Sequence, residues 1–131
     1  MSPARSERGS VTIVVAAMLV AVLVLAVGAA DLARVLASVG RARTAADASA
    51  LAAAQELAFP RGRPPEEVAA DYANRNGAGL DTCSCEAGTL DVTVGVWVPV
   101  GPLLLFGDDR VVHRMARAEV VIPPAGLGPS P

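Results

Sequence analysis

Hydrophobic residues fill residues 9–30, GSVTIVVAAMLVAVLVLAVGAA, and no charged side chain interrupts them. A helix rises about 1.5 Å per residue, so some 20 apolar residues cross a hydrocarbon core of about 30 Å. Arg8 and Asp31 bracket the stretch. An ionised group at the bilayer centre costs several kcal/mol, so these two charges mark the limits of a span. The pattern predicts a retained membrane helix over about residues 10–30. A cleaved secretory signal is the competing reading. Its apolar region is typically about 7–15 residues and ends in small residues. Val27, Gly28, Ala29 and Ala30 resemble such an end, but the run here is longer.

Beyond Asp31 the pattern changes to helical spacing. Leu32, Val35, Leu36, Val39, Ala42, Ala46, Ala50 and Leu57 fall on one predicted face. Ala, the best helix former, dominates this part, and no Pro occurs between Val11 and Ala58. The expectation is one helix over residues 10–58, roughly 70 Å long. Its small residues allow another backbone to approach closely, either a partner helix or the C-terminal part of the chain. Pro60, Pro64 and Pro65 end it. Pro65, Glu66 and Glu67 then open a short helix. Val68, Tyr72 and Ala69 or Ala73 are its predicted inner face, and Asn76-Gly77 its C-cap.

The period then shifts to two. Leu90, Val92, Val94, Val96 and Val98 alternate with Thr89, Asp91, Thr93, Gly95 and Trp97, the signature of a strand. Residues 111–122 form a second predicted strand, firmest over 118–122, with Val112, Arg114, Ala116, Ala118, Val120 and Ile122 on one side. The two pair as an antiparallel hairpin across residues 99–110. A short strand near residues 80–85 is a candidate third, because an isolated hairpin is marginal. The predicted fold class is α+β. A long N-terminal helix, transmembrane in its first half, carries a small domain with a short helix and an antiparallel hairpin or small sheet. By position, residues 1–9 are a cytoplasmic tail or leader, 64–122 the extracytoplasmic domain and 123–131 a flexible tail.

Composition narrows the function classes. The 131 residues carry a net charge of −2 and only 3% aromatics. A nucleic-acid binder shows clustered basic charge or stacking rings, so neither that partner nor a small-molecule substrate is expected. One His and two Cys fall short of the four ligands of a structural zinc site, and no cofactor is expected. His113 stands alone, without a nucleophile motif. Asp108 and Asp109 read as solvated turn acids. No phosphate loop, H-E-x-x-H or G-x-S-x-G occurs, so no enzymatic activity is expected. Cys83 and Cys85 are a candidate local disulfide. Free thiols, an intermolecular bond and a metal site are the alternatives. Gly101-Pro102-Leu103-Leu104-Leu105-Phe106-Gly107 places four apolar residues between turn formers. They fill the small core or form a contact loop for a partner or lipid headgroups.

Arg8-Gly9-Ser10-Val11-Thr12 before the span and Ala46-Asp47-Ala48-Ser49-Ala50-Leu51-Ala52 after it carry a resemblance. Together with DVTVGVWVPV, LLLFG and ARAEVV, they resemble the TadE/TadG-like family of Flp (Tad) pilus-assembly and minor pilin-like proteins. The resemblance implies a single-pass protein of the bacterial cell envelope, active in pilus assembly or type II/IV-like secretion. Its partners would be the bilayer and other pilin-like or assembly proteins. It also raises a candidate processing site between Gly9 and Ser10. Processed prepilins often carry Glu at the fifth mature position, where this chain has Val14. TadG-like members generally need neither the cut nor the Glu. Arg5 and Arg8 in the tail favour a cytoplasmic N-terminus, as does the cysteine pair beyond the span, since disulfides form outside the cytoplasm. Arg34, Arg41 and Arg43 count against that orientation. A protein-binding module unrelated to pili, secreted or membrane-tethered, is the alternative function.

Overall fold

The computed structural model describes residues 7–89, 91–107 and 110–121. The expected tail 123–131, most of the expected leader, Leu90, Asp108, Asp109 and Ile122 lie outside the described residues. Helix α1 (Glu7–Ala58) runs unbroken for 52 residues, about 78 Å at 1.5 Å per residue. Helix α2 (Pro65–Arg75) follows, with Pro at its N-terminus, two glutamates in its first turn, and Asn76 then Gly77 (φ +71°) closing it. Strands β1 (Gly79–Ser84), β2 (Asp91–Pro99) and β3 (Val111–Glu119) form an antiparallel sheet in the order β1-β2-β3. The α+β architecture expected from the sequence is therefore the observed one.

The hairpin register runs from Asp91 opposite Glu119 to Pro99 opposite Val111. Val92, Val94, Val96 and Val98 are all fully buried, as period two requires when one sheet face is covered. On β3 the inward positions Val112, Ala116 and Ala118 are half-buried, whereas Arg114 is exposed. The strand ends at Glu119, short of the expected 118–122. Val120 lies outside the ladder but still packs on the core. The third strand, β1, carries a bulge at Asp81: Leu80 pairs with Val96 and Thr82 with Gly95.

The core is made from small side chains. Ala42, Ala45, Ala46, Ala50, Ala53 and Ala54 of α1 meet Ala69 and Ala73 of α2, Ala78 and the four valines of β2. The sheet and α2 thus cover the upper half of α1, and the small domain is the neighbour its small residues admit.

The α1 face follows the expected one at Ala42, Ala46 and Ala50 and departs from it at Leu32 and Leu36. Leu32 and Leu36 are each 60% exposed, while Asp31, Ser38 and Ser49 are buried with the alanines. The buried positions 31, 38, 42, 45, 49, 53 and 56 recur every three to seven residues along one stripe. From Ser38 to Ala53 every buried position is Ser or Ala, because close packing of the domain leaves room only for short side chains there, and the leucines turn outward. On α2, Val68, Ala69 and Ala73 are buried, but Tyr72 is not part of the inner face. Its ring lies outward beneath Arg75, 5.4 Å from the guanidinium carbon.

Candidate functional site

The apolar stretch of α1 is uncovered. Val11, Ile13, Met18, Val20, Leu23, Val24 and Leu25 are all more than half exposed. The most apolar 18-residue window has mean hydropathy 3.0, and none of it is buried. Side chains this greasy on every face of a helix belong in lipid or against other apolar helices. Gly9 is exposed in the first turn of α1, with open space around its Cα.

The loop between β2 and β3 returns to the end of this stretch. Val100 N–H donates to Arg110 O at 2.9 Å, and Leu103 bridges Gly107. Gly101 and Gly107 have φ of +79° and +74°, a backbone region that favours glycine. These contacts close a tight turn at Leu104, Leu105 and Phe106. The reading that all four apolar residues fill the core fits Leu103 alone, at 6% exposed. Leu104, Leu105 and Phe106 are 66%, 50% and 61% exposed. None of these three belongs to the core packed between α1, α2 and the sheet, because the turn is tied to α1 at Asp31 instead.

Asp31 holds this turn to α1. Its Oδ1 accepts from Leu104 N–H at 3.0 Å and its Oδ2 from Leu105 N–H at 2.8 Å. The two backbone donors, with Arg34 nearby, keep the Asp31 carboxyl below its ordinary range, against the opposing effect of desolvation. Arg34 lies 3.5 Å from Asp31 and also donates to Pro102 O at 2.9 Å. From the sequence, Asp31 merely bounds the span. An acid placed between an apolar helix and a glycine-bracketed loop is a signal that both could be linked through backbone N–H groups.

Glu56 does the same at the other end of the domain. Only 7% exposed, it accepts through Oε1 from Arg61 N–H at 2.5 Å and Arg63 N–H at 3.3 Å, fixing the turn between α1 and α2. Two acids 25 residues apart on α1 therefore each bind two backbone donors of a loop.

The remaining candidates are dispersed. Cys83 and Cys85 have Cα atoms 5.4 Å apart with their sulfurs adjacent, a separation that suits a disulfide. His113 is exposed, with Nδ1 3.3 Å from Asp81 Oδ2 across the outer sheet face. Neither lies near the contact loop's clip at Asp31 in a shared crevice. A crevice does form between α1 and the loop, lined by Gly28, Asp31, Leu32, Val35, Leu103, Phe106 and Arg110.

Residues 9–56 match the family model described as Flp pilus-assembly TadE/G-like. The matched segment lies wholly within α1 and supports a role related to Flp pilus assembly. It contains the apolar stretch, Asp31 and Glu56; the loop and the sheet lie beyond it. No curated protein matches the chain, and no solved structure does.

Proposed function

We propose that this chain is a membrane-anchored, non-enzymatic TadE/TadG-like minor pilin or pilus-assembly factor. The observation that carries the reading is the continuity of α1. One helix exposes an apolar stretch of bilayer length and, without a break, becomes the spine of a small domain. Residues 11–30 cross the membrane once, with the N-terminus in the cytoplasm and the domain outside it. The tail arginines and the adjacent cysteines support that orientation. The domain binds other pilin-like or assembly proteins. The bilayer and those proteins are its partners; no nucleic acid, cofactor or substrate takes part.

Intact mass on a carbonate-washed membrane fraction tests the anchor and the leader together. A full-length chain retained in the membrane marks a bitopic assembly factor. A retained chain beginning at Ser10 marks pilin-type processing. A soluble product cut near Ala30 refutes the anchor. Function is tested by complementing a deletion strain. A chain with Val20→Asp and Val24→Asp should lose membrane retention and piliation, because each charge at the span's centre costs several kcal/mol. Normal piliation with both charges present would refute the reading.

A further inference from the structure

We propose that the Leu104-Leu105-Phe106 turn is a lipid-seated foot, inserted into the headgroup–acyl boundary on the domain's side of the bilayer. The inference rests on residues 11–30 of α1 being the membrane span. Three observations place the turn at that depth. First, Asp31, the first charge beyond the apolar stretch, binds the N–H groups of Leu104 and Leu105 directly, so the turn is held at the level where α1 leaves the hydrocarbon. Second, a Cβ on Gly28 would lie 3.8 Å from Leu105 Cδ1. Leu105 therefore extends past Asp31 toward the span, by three residues of helix or about 4.5 Å. Third, Phe106 lines a crevice with Gly28, Leu32 and Val35 of α1, so the exposed Leu104, Leu105 and Phe106 add apolar surface beside the end of the span.

The polar groups around the turn suit the boundary. Arg110 lies 5.7 Å from the Phe106 ring centre, and Arg34 is half exposed beside Asp31. Such side chains lay their apolar stems along the surface and direct their charge to the phosphates. Arg34 is already paired with Asp31, so apolar insertion carries the seat and zwitterionic lipid suffices. Asp31 is the positioning residue. Its carboxylate is satisfied by backbone donors, so it can lie at the boundary without an unpaired charge. A turn with a Leu-Leu-Phe tip buried about 5–10 Å into the interface would fix the height and tilt of the domain above the membrane.

The test places one indole at the tip. Phe106→Trp is combined with Trp97→Phe in the full chain, reconstituted in phosphatidylcholine vesicles with or without acyl-chain bromine. A sister protein carries Leu23→Trp with Trp97→Phe to report on the span, and far-UV circular dichroism checks both folds. The expected result is a blue-shifted emission at position 106 that falls about twofold or more in brominated vesicles, as insertion at that depth requires. Asp31→Asn should reverse the shift at 106 and leave the span reporter quenched. If the span reporter is quenched while position 106 emits as in water, the foot is refuted and the anchor stands. If neither is quenched, both fall. A blue shift at 106 that is insensitive to bromine and lost on dilution in lipid means a second copy covers the tip, which also overturns the proposal.

Discussion

Enlarging a buried alanine should harm this protein more than deleting an exposed leucine from the same helix. Ala46 is 1% exposed and Leu51, five residues on, is 56% exposed. Ala46→Leu adds three carbons, which would gain about 2.4 kcal/mol if they were buried without strain. The stripe has no space for them. Ala42, Ala45, Ala50 and Ala53 surround the position, all at 0–1% exposed, against valines that are fully buried. The added volume must lift the sheet, and overpacking of a filled core typically costs about 1–3 kcal/mol net. We expect a loss of about 2 kcal/mol. With a urea slope of about 1–3 kcal/mol/M, the midpoint falls by about 1 M. Leu51→Ala removes a side chain that is mostly in solvent and should change stability by less than about 0.5 kcal/mol. The assay is urea unfolding of the full chain in detergent, followed by Trp97 fluorescence. A stable leucine variant together with a destabilised Leu51→Ala would refute the assignment of the inner face.

Three further outcomes follow from particular side chains. Ser49→Ala should stabilise the same transition by about 1 kcal/mol, because the buried Ser49 Oγ has no hydrogen-bond partner among the described residues and Ala is the better helix former; a loss of stability would refute this. Gly79→Val should shift Trp97 fluorescence and cost about 2 kcal/mol, because a Cβ at Gly79 runs into the Trp97 indole that packs across it; unchanged emission would count against that packing. The Asp31 clip should be pH-dependent in one direction. Its folded carboxyl titrates below the unfolded value, so its stabilisation is present above the ordinary aspartate range and lost as pH falls through the folded value. Hydrogen-exchange protection of the Leu104 and Leu105 amides, corrected for intrinsic rates, should hold from neutral to mildly acidic pH and fall only below that range; loss near neutrality would exclude the carboxylate as acceptor.

The sequence shows its periods more clearly than its contacts. The unbroken apolar stretch, the Pro-terminated helix and the period-two valines are local signals, and each element appears where its period places it. The helix face was less legible. Apolar spacing selects Leu32 and Leu36, yet the sheet's close approach favours Ser38 and Ser49 over them. The same rule places Tyr72 inward, but the buried face of α2 is Val68, Ala69 and Ala73, leaving a large ring no room. The loop was legible as an oddity only. Four apolar residues between glycines suggest a core or a contact, and the choice depends on where Asp31 meets the chain 73 residues later. Asp31 and Glu56 look like ordinary surface acids, because backbone donors from a distant loop leave no pattern in the sequence.

The two clips together set how the domain sits on its helix. Asp31 and Glu56 lie 25 residues apart on α1, about 37 Å along the axis. Each accepts two backbone N–H groups from opposite ends of the domain. Between them the alanine stripe provides contact but little to resist sliding, since small side chains interlock weakly. The clips therefore determine register. Inserting one alanine after Ala48 turns the helix by about 100° and moves one clip about 1.5 Å relative to the other. The domain can then satisfy the Asp31 clip or the Glu56 clip, but not both. Hydrogen exchange should show one pair of amides, Leu104 with Leu105 or Arg61 with Arg63, losing protection while the other keeps it. The same insertion after Val20, within the uncovered stretch, lies outside both clips and should leave all four amides protected. Full protection of both pairs after the insertion at Ala48 would mean that the alanine stripe alone holds the domain. In that case the height of the loop above the span would not be set by Asp31.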